Sequence, residues 1–391
     1  MRVGLVTSIP RGGPVEHALL LARDLVRLGV EVSALAAAAE VAERFTALGA
    51  RAWVLPLRPG ADVGGARRLQ RRLRGTDVVH THDRRSGLWV RLLPRPDART
   101  ALIHTLHGLP EPYLPPPVGP PRPGARALVA YRGLERVLAW RSDALVVPSE
   151  AAAQLAAQRL GYRPGRLTVV PNGVEFPLEP LMRAGAVVGT ISLLEPVKGL
   201  DVFLRAVAEL AHERPATRFV VFGSGSQAVA LRELAIELGL AARVEFPGYV
   251  PAAEALPQLG VFVLPSHMET SGLALLEALA AGVPAVATRV GGIPETAPGD
   301  AAELVPPGDP SALAAAIARL LDDPALAERR IAAGRAAAAE RTSERTAARL
   351  LEVYKAARAR RAGRRPPFLL NTSALRGDIS APLERGRPDP L

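Results

Sequence analysis

Two glutamates eight positions apart lie in a stretch of sequence that is typical of a strand followed by a loop and a helix. Glu269 precedes the first turn of the predicted helix, and Glu277 lies within it. The apolar run at 261–264 just before them is typical of a buried parallel strand. Glu277 can accept two hydrogen bonds from a vicinal diol, and the free N–H groups of the first helical turn suit an anion. This order of groups fits a phosphate that lies between a ribose and a second sugar.

The residues between the two glutamates are suited to the start of a helix that binds an anion. Thr270 and Ser271 can each cap the helix. Gly272 has no side chain, so a phosphate can approach its backbone closely, and the N–H of Leu273 belongs to the same first turn. Gly282 can end the helix. We therefore predict that the start of the helix at Gly272 and Leu273 binds a phosphate and that Thr270 and Ser271 belong to the same binding site.

The segment from Glu269 to Glu277 resembles the signature of the family 4 retaining glycosyltransferases, and the resemblance extends from Met1 to about residue 350. It implies an α/β chain with the GT-B fold, in which two Rossmann-like domains with parallel sheets face each other across a cleft. In that family the first glutamate lies beside the transferred sugar and the second holds the ribose of the nucleotide. The resemblance therefore implies a catalytic role for Glu269 and a donor-binding role for Glu277.

Two further loops follow predicted strands. Gly12 and Gly13 precede a predicted helix, where their N–H groups could reach a phosphate or could only form a tight turn. His107 ends a strand predicted over 100–106, at the edge where open α/β sheets bind ligands, although it could also be an ordinary loop histidine. The resemblance implies that the glycine pair faces the donor diphosphate and that His107 is a catalytic residue that contacts the transferred sugar.

The sequence predicts no metal site. His80 and His82 are expected to point to opposite faces of an extended segment, and the chain has no cysteine for a thiolate site. No Asp-x-Asp motif suggests a bound divalent ion, so positive groups such as Lys198 are expected to stabilise the leaving diphosphate. A nicotinamide oxidoreductase is not expected because G-x-G-x-x-G is absent after the first strand. The extra acids and histidines that a sugar-nucleotide epimerase needs cannot be placed.

One position departs from the family pattern. The family has Gly-Arg-Leu a few residues before Lys-Gly, and the arginine binds the diphosphate. Here Lys198 and Gly199 are present, but Leu193 occupies the position of the arginine. The loss of a bidentate phosphate clamp leaves Lys198 as a point charge. An alternative function is therefore a GT-B protein that binds the donor with weak or no turnover.

The charge of the chain is strongly positive but unevenly distributed. The 391 residues include 49 basic and 38 acidic ones, a net charge of +11, and residues 355–391 hold nine basic and three acidic ones, a net charge of +6. A nucleic-acid-binding face on the folded part is therefore not predicted. A helix predicted over 63–74 has either a solvated surface or a peripheral contact with anionic lipid, because it carries five arginines. These are Arg67, Arg68, Arg71, Arg72 and Arg74.

These features predict an acceptor-side domain at 1–176, a nucleotide-sugar-binding domain at 177–345, a helix at 346–362 that crosses back, and a disordered basic tail at 363–391. Without an apolar run of 18 residues or a signal peptide, the protein is expected in the cytoplasm, free or at the inner face of the membrane. The resemblance implies that it moves a hexose from a nucleotide diphosphate sugar to a sugar, a lipid-linked sugar or a small molecule. Transfer would retain the anomeric configuration and need neither metal nor cofactor.

Overall fold

The computed structural model describes residues 1–55, 57, 62–108, 125–177 and 185–363. The proline-rich segment at 109–123, residues 178–184 between the two predicted domains and nearly all of the predicted tail lie outside the described residues.

The first sheet has seven parallel strands, which are β1 (Arg2–Val6), β2 (Glu31–Ala36), β3 (Arg51–Val54), β4 (Val78–Thr81), β5 (Ala101–Thr105), β6 (Ala144–Val147) and β7 (Leu167–Val169). They lie in the order β3-β2-β1-β4-β5-β6-β7. The strands alternate with α1 (Gly13–Arg27), α2 (Ala39–Ala47), α3 (Val63–Arg72), α4 (Arg84–Leu92), α5 (Ala125–Arg141) and α6 (Glu150–Leu160). The central strands are apolar almost throughout because helices cover both faces of the sheet.

The second sheet has six parallel strands, which are β8 (Val187–Ile191), β9 (Arg218–Phe222), β10 (Val244–Gly248), β11 (Val261–Leu264), β12 (Ala285–Thr288) and β13 (Glu303–Val305). They lie in the order β10-β9-β8-β11-β12-β13. The helices of this half are α7 (Leu200–Glu213), α8 (Ala228–Glu237), α9 (Ala252–Ala255), α10 (Leu273–Ala281), α11 (Ile293–Thr296), α12 (Pro310–Asp322) and α13 (Pro324–Ala339). Two doubly wound sheets of this kind form the predicted GT-B fold.

The last helix, α14 (Ser343–Arg361), packs on the first sheet although it follows the second one in the chain. Its Leu350, Val353 and Tyr354 are buried in the same apolar core as Val3 and Val15. The contact therefore joins the end of the folded chain to its beginning.

Each sheet has a point where the strand order changes direction. In the first sheet it lies between β1 and β4, and in the second it lies between β8 and β11. Ligands of open α/β sheets bind in the crevice outside the carboxyl ends of the strands at such points. The loops that follow these four strands, and the loop after β5, carry the candidate site.

Candidate functional site

Loops from the two halves of the molecule are in direct contact at this edge. The hydroxyl of Thr270 donates to the carbonyl oxygen of His107 over 2.7 Å. Ser149 donates its hydroxyl to the carbonyl oxygen of Thr270 over 2.5 Å and caps α6 by accepting from the N–H of Ala152. Glu295 of α11 also accepts from the first N–H groups of α6. The predicted site residues His107 and Thr270 therefore lie together, although 163 positions separate them.

Lys198 and Glu269 form an ion pair with 2.6 Å between Nζ and Oε1. The hydroxyl of Ser266 donates to the same carboxylate oxygen over 2.9 Å. Gly199 holds Lys198 against this loop because its φ is +60° and a Cβ there would lie 2.2 Å from the carbonyl oxygen of Pro265. The sequence predicts both charged residues for the site, but it does not reveal that they are bound to each other.

Glu277 differs from Glu269 in having no hydrogen bond or ion pair within the ranges that the structure describes. Burial raises the pKa of its carboxyl group to about 8, and the negative charge of Glu16 on α1 adds to the shift. Glu16 itself accepts two hydrogen bonds from Arg44, of 2.9 and 2.6 Å. Glu277 is therefore a carboxyl group that faces Glu16 of the other half of the molecule and has no cation within ion-pairing distance among the described residues.

The start of α10 departs from the prediction in two ways. The N-cap is Gly272, with no side-chain hydrogen bond, so the prediction that Thr270 or Ser271 caps the helix is wrong. The Thr270 hydroxyl donates instead to the carbonyl oxygen of His107. The buried Ser271 hydroxyl has no partner among the described residues. Gly272 has a φ of +71°, and a Cβ there would lie 2.4 Å from Ile293. The side chain of Ile293 therefore occupies the space that a Cβ would need. This contact requires glycine here, whereas the sequence suggested that glycine lets a phosphate approach.

The glycine pair after β1 lies against residues of the second half. A Cβ at Gly12 would lie 3.5 Å from Leu193, and one at Gly13 would lie 3.6 Å from Leu273. Leu193 is 42% exposed despite its apolar side chain. The loop after β1 and the start of α10 are thus neighbours, with Leu193 beside them.

Arg11, next to the glycine pair, also reaches the second half. Its guanidinium lies over the ring of Tyr249, 4.9 Å from the ring centre, and it is 3.8 Å from the carboxylate of Glu40. Sequence reasoning does not find Glu16 or Ser266 as site residues, because their placement depends on contacts between elements distant in the chain.

The expectation that His80 and His82 point to opposite faces is wrong. Their ring centres are only 4.1 Å apart. The alternation of side chains holds only within a strand, and His82 comes after the last residue of β4. Its Nδ1 lies 3.4 Å from Nε2 of His107. Burial lowers the pKa of His82 and His107 well below the ordinary value, and neighbouring histidines lower it further.

A cavity of about 270 Å³ lies beside His107. Its described lining comes from Pro14 of α1, from the end of β5, from the loops after β4 and β5, and from α4, α5 and α6. The polar side chains on its wall include Arg84, Arg91 and Glu135. The cavity therefore opens on the side of His107 that belongs to the first half of the molecule.

Comparisons with known proteins agree with this architecture. A model described as Glycosyltransferase Family 4 matches residues 11–176, and one described as Glycosyl transferases group 1 matches residues 185–323. A protein of Thermomonospora curvata named D-inositol 3-phosphate glycosyltransferase is 33% identical over 318 residues, which are 72% of each chain. The chain belongs to glycosyltransferase family 4. The resemblance inferred from the sequence is thereby confirmed.

Other relatives match a smaller share. A D-inositol 3-phosphate glycosyltransferase of Acidothermus cellulolyticus is 35% identical over 63% of this chain, and the match spans only 60% of its own length. A glycogen synthase of Mycobacterium tuberculosis is 32% identical over 52% of this chain and 51% of its own.

Solved structures share the fold of this family 4 chain. The structure of Anabaena HepE in complex with UDP and glucose has a TM-score of 0.76 at 18% identity and covers 90% of this chain and 98% of its own. A sucrose-phosphate synthase from Thermosynechococcus elongatus has a TM-score of 0.72 at 22% identity, with coverage of 90% and 98%. These likenesses confirm the two-domain GT-B fold. In the described part of the chain, no helix is both long and apolar enough to cross a membrane.

Proposed function

We propose that the protein transfers a hexose from a nucleoside diphosphate sugar to an acceptor, with retention of the anomeric configuration and without a metal ion at the diphosphate. The observation that carries the proposal is Glu277, a carboxyl group between the two domains with no partner in the described chain and a pKa of about 8. The 2′ and 3′ hydroxyls of a ribose are the paired donors that such a carboxylate lacks. They would compensate for its burial by hydrogen bonding to the charged form.

The leaving diphosphate gains negative charge as the bond between the sugar carbon and the phosphate oxygen breaks. Lys198, the backbone of Gly12 and Gly13, and the first N–H groups of α10 at Gly272 and Leu273 are the groups proposed to stabilise it. Such donors are most effective when their positions are fixed before the reaction. The Lys198–Glu269 ion pair supports this role because it fixes the ammonium group beside the loop.

Glu269 is proposed to hold hydroxyl groups of the transferred sugar, and His107 is proposed to contact the same sugar from the first domain. The hydrogen bond from Thr270 to the His107 carbonyl supports a common site, because it joins their two loops. The unpartnered hydroxyl of Ser271 is a further group that could donate to a phosphate oxygen. The acceptor, a sugar, a lipid-linked sugar or a small molecule, would enter by the cavity beside His107.

The printed names of relatives support the kind of donor. The Anabaena HepE structures contain UDP or UDP-glucose, and several sequence relatives are named glycosyltransferases. A peripheral contact of the exposed arginines of α3 with anionic lipid remains a separate proposal. It is supported by the charge of this surface, because Arg67, Arg68, Arg71 and Arg72 of α3 and Arg74 just after it are exposed.

A second candidate is a protein that binds the donor with weak or no turnover. Leu193 favours it, because this exposed apolar side chain lies against the glycine pair proposed to face the diphosphate. An apolar group there offers no hydrogen bond to a phosphate.

One experiment separates the two candidates. Purified protein would be incubated with UDP-, GDP- and ADP-sugars, with and without simple sugar acceptors, while released nucleotide and bound donor are measured. Transfer would be accompanied by nucleotide release, NMR of the product would give the anomeric configuration, and EDTA should leave the rate unchanged. Binding without release would favour the second candidate. Loss of activity in EDTA that is restored by Mg²⁺ or Mn²⁺ would overturn the metal-free mechanism, and neither binding nor release would overturn both candidates.

A further inference from the structure

The two faces of the first sheet are covered by helices of very different charge. Helices α3, α4, α5 and α6 cover one face, and α1, α2 and α14 cover the other. The first layer contains twelve arginines and two glutamates, whereas the second contains nine basic and six acidic residues. Of the two glutamates, Glu135 is buried and accepts a hydrogen bond from Tyr162, and Glu150 lies at the start of α6. The layer from α3 to α6, called the basic layer below, is therefore strongly positive on its outer surface.

The outer side of α5 in this basic layer is also apolar. Val129, Val137 and Trp140 lie on one side of the helix, and their side chains are 70%, 51% and 78% exposed. Glu135 and Leu138 lie on the opposite side and are buried. These three exposed apolar residues form a stripe that contacts solvent, and an apolar patch of this kind marks an interaction surface.

Arginines surround the apolar stripe of α5. Arg126, Arg132 and Arg136 are all exposed. Arg132 is fixed in position, because its Nε and Nη2 donate to the carbonyl oxygens of Arg159 and Gln158 on α6 over 2.9 and 2.7 Å. The surface of α5 therefore combines apolar side chains with positive charge, and the one acidic residue of this helix is on its buried side.

We propose that the basic layer docks on an anionic membrane surface, with Val129, Val137 and Trp140 inserted among the headgroups and the surrounding arginines next to lipid phosphates. Apolar burial, an interfacial tryptophan and positive charge together bind a helix to anionic lipid. A nucleic acid would pair with the arginines but leave the apolar stripe in water. A second copy of the basic layer would bring like charges together. The arginines of α3 belong to the same layer, so the stripe on α5 supports a membrane contact by an independent observation.

The docked side of α5 lies opposite the cavity beside His107. Tyr131 and Glu135 of the same helix line that cavity. An α-helix with its side chains is about 10–12 Å across, so the lipid surface would lie one helix diameter from the cavity. This consequence rests on the proposed function, in which the acceptor enters by the cavity. It favours the lipid-linked sugar among the three classes of acceptor.

The test measures vesicle binding and not transfer, so its failure is distinguishable from a failure of the proposed function. The full-length protein would be sedimented with vesicles that contain phosphatidylglycerol and with vesicles of phosphatidylcholine alone. We expect binding to the anionic vesicles only, and weaker binding at about 0.5 M salt because salt screens the arginines. Lipid brominated near the headgroup should quench tryptophan fluorescence, and Trp140→Phe should remove most of this quenching.

Variants of exposed residues test the apolar stripe and its charge separately. Trp140→Ser and Arg136→Glu should each lower the affinity for anionic vesicles about fivefold or more. The matched controls are Ile236→Ser, at an exposed residue of α8, and Arg349→Glu, at an exposed residue of α14 in the opposite layer. Neither control should change the affinity. Residues 364–391 are present in every variant, so the charge of the tail does not account for a difference.

Four results would contradict the proposal. These are no binding of the wild type to anionic vesicles, equal affinity in Trp140→Ser and the wild type, an equal loss of affinity in the two controls, and RNA binding that Arg136→Glu weakens and anionic vesicles do not displace. The last would assign the basic layer to nucleic acid. Circular dichroism would check that each variant is folded. If one is not, quenching of the wild type by brominated lipid decides, because its absence contradicts insertion of Trp140.

Discussion

The two glutamates of the donor segment lie in opposite environments. Glu269, in the loop, is bound to Lys198 and Ser266, whereas Glu277, in the helix, has no such partner in the described residues and faces the charge of Glu16. A carboxylate that is already paired is held in position before any ligand arrives. One that is partly buried and unpaired gains most when a ligand supplies hydrogen bonds. The comparison therefore suggests that Glu269 positions groups and that Glu277 supplies binding energy.

The largest effect on activity is expected from breaking the Lys198–Glu269 ion pair. Lys198→Ala should lower kcat by about 10²–10³, as the loss of one fixed donor to a developing charge does. Nucleotide release at saturating donor would measure it. Because Lys198→Ala also leaves Glu269 without its cation, Glu269→Gln and the double variant are needed as controls. If Lys198→Ala retained the wild-type kcat, Lys198 would have no part in stabilising the leaving group.

Removal of the unpaired Glu277 carboxylate should mainly weaken binding of the donor. Glu277→Ala removes the acceptor of two hydrogen bonds to the ribose, each worth about 1.5–3 kcal/mol when the acceptor is charged. Calorimetry should show donor affinity lower by at least tenfold, with a smaller effect on kcat at saturation. Glu277→Gln keeps the shape and one acceptor and should fall between the two. Equal donor affinity in all three proteins would contradict the ribose role.

The raised pKa of Glu277 should make the free energy of unfolding depend on pH, with a smaller effect than the two above and in a direction that can be worked out. Between the ordinary value of 4.5 and about 8, the folded protein holds a proton that the unfolded chain has released. The stability from this group is complete below pH 4.5 and is lost as the pH rises towards 8. The unfolding free energy of the wild type minus that of Glu277→Gln should therefore fall over this range. Subtracting the variant removes the opposite contribution of the buried histidines.

Donor binding should then release a proton near pH 7. Ribose hydroxyls that donate to Glu277 favour the charged carboxylate and lower its pKa. Calorimetry in two buffers of different ionisation enthalpy would count the protons. The same count for Glu277→Gln and the wild type would contradict this assignment.

The sequence predicts the fold well because parallel strands are short apolar runs. The bounds of β11 match the apolar run predicted at 261–264, and the final helix, Ser343–Arg361, begins three residues before the helix predicted at 346–362. Strand β13 and helix α4 are not predicted. Glu303 gives β13 a polar residue in a strand of only three, and three arginines obscure the apolar face of α4.

The sequence names candidate residues for the site, but it does not predict which of them contact each other. The Lys198–Glu269 pair joins residues 71 positions apart, which local spacing cannot reveal. Thr270 is of a residue type that often caps helices, but its hydroxyl donates instead to the carbonyl oxygen of His107 in the other domain. His17 is one of several histidines in the sequence, and only the folded chain brings it near His82. Each of these facts depends on a contact between loops or elements that are distant in the chain, either within one domain or between the two.

The smallest effect is expected at Leu193, and it tests whether the apolar residue weakens the phosphate site. Leu193 is exposed beside Gly12, so an arginine there has room to extend. Leu193→Arg should raise donor affinity or the rate by a few-fold, since a guanidinium binds phosphate with two hydrogen bonds. Leu193→Lys is the matched control, because it adds charge without the bidentate geometry.

The rival explanation is that Arg11 already supplies the missing charge from the first domain. Its guanidinium lies over Tyr249 of the second domain, so it is near the interface that a donor would occupy. If Arg11 is only a partner of Tyr249, Arg11→Ala should change the rate far less than Lys198→Ala, and Leu193→Arg should give a gain. If Arg11 compensates, Arg11→Ala should cost as much as Lys198→Ala, and Leu193→Arg should give none. Nucleotide release by these three variants decides between a weakened phosphate site and one completed across the cleft.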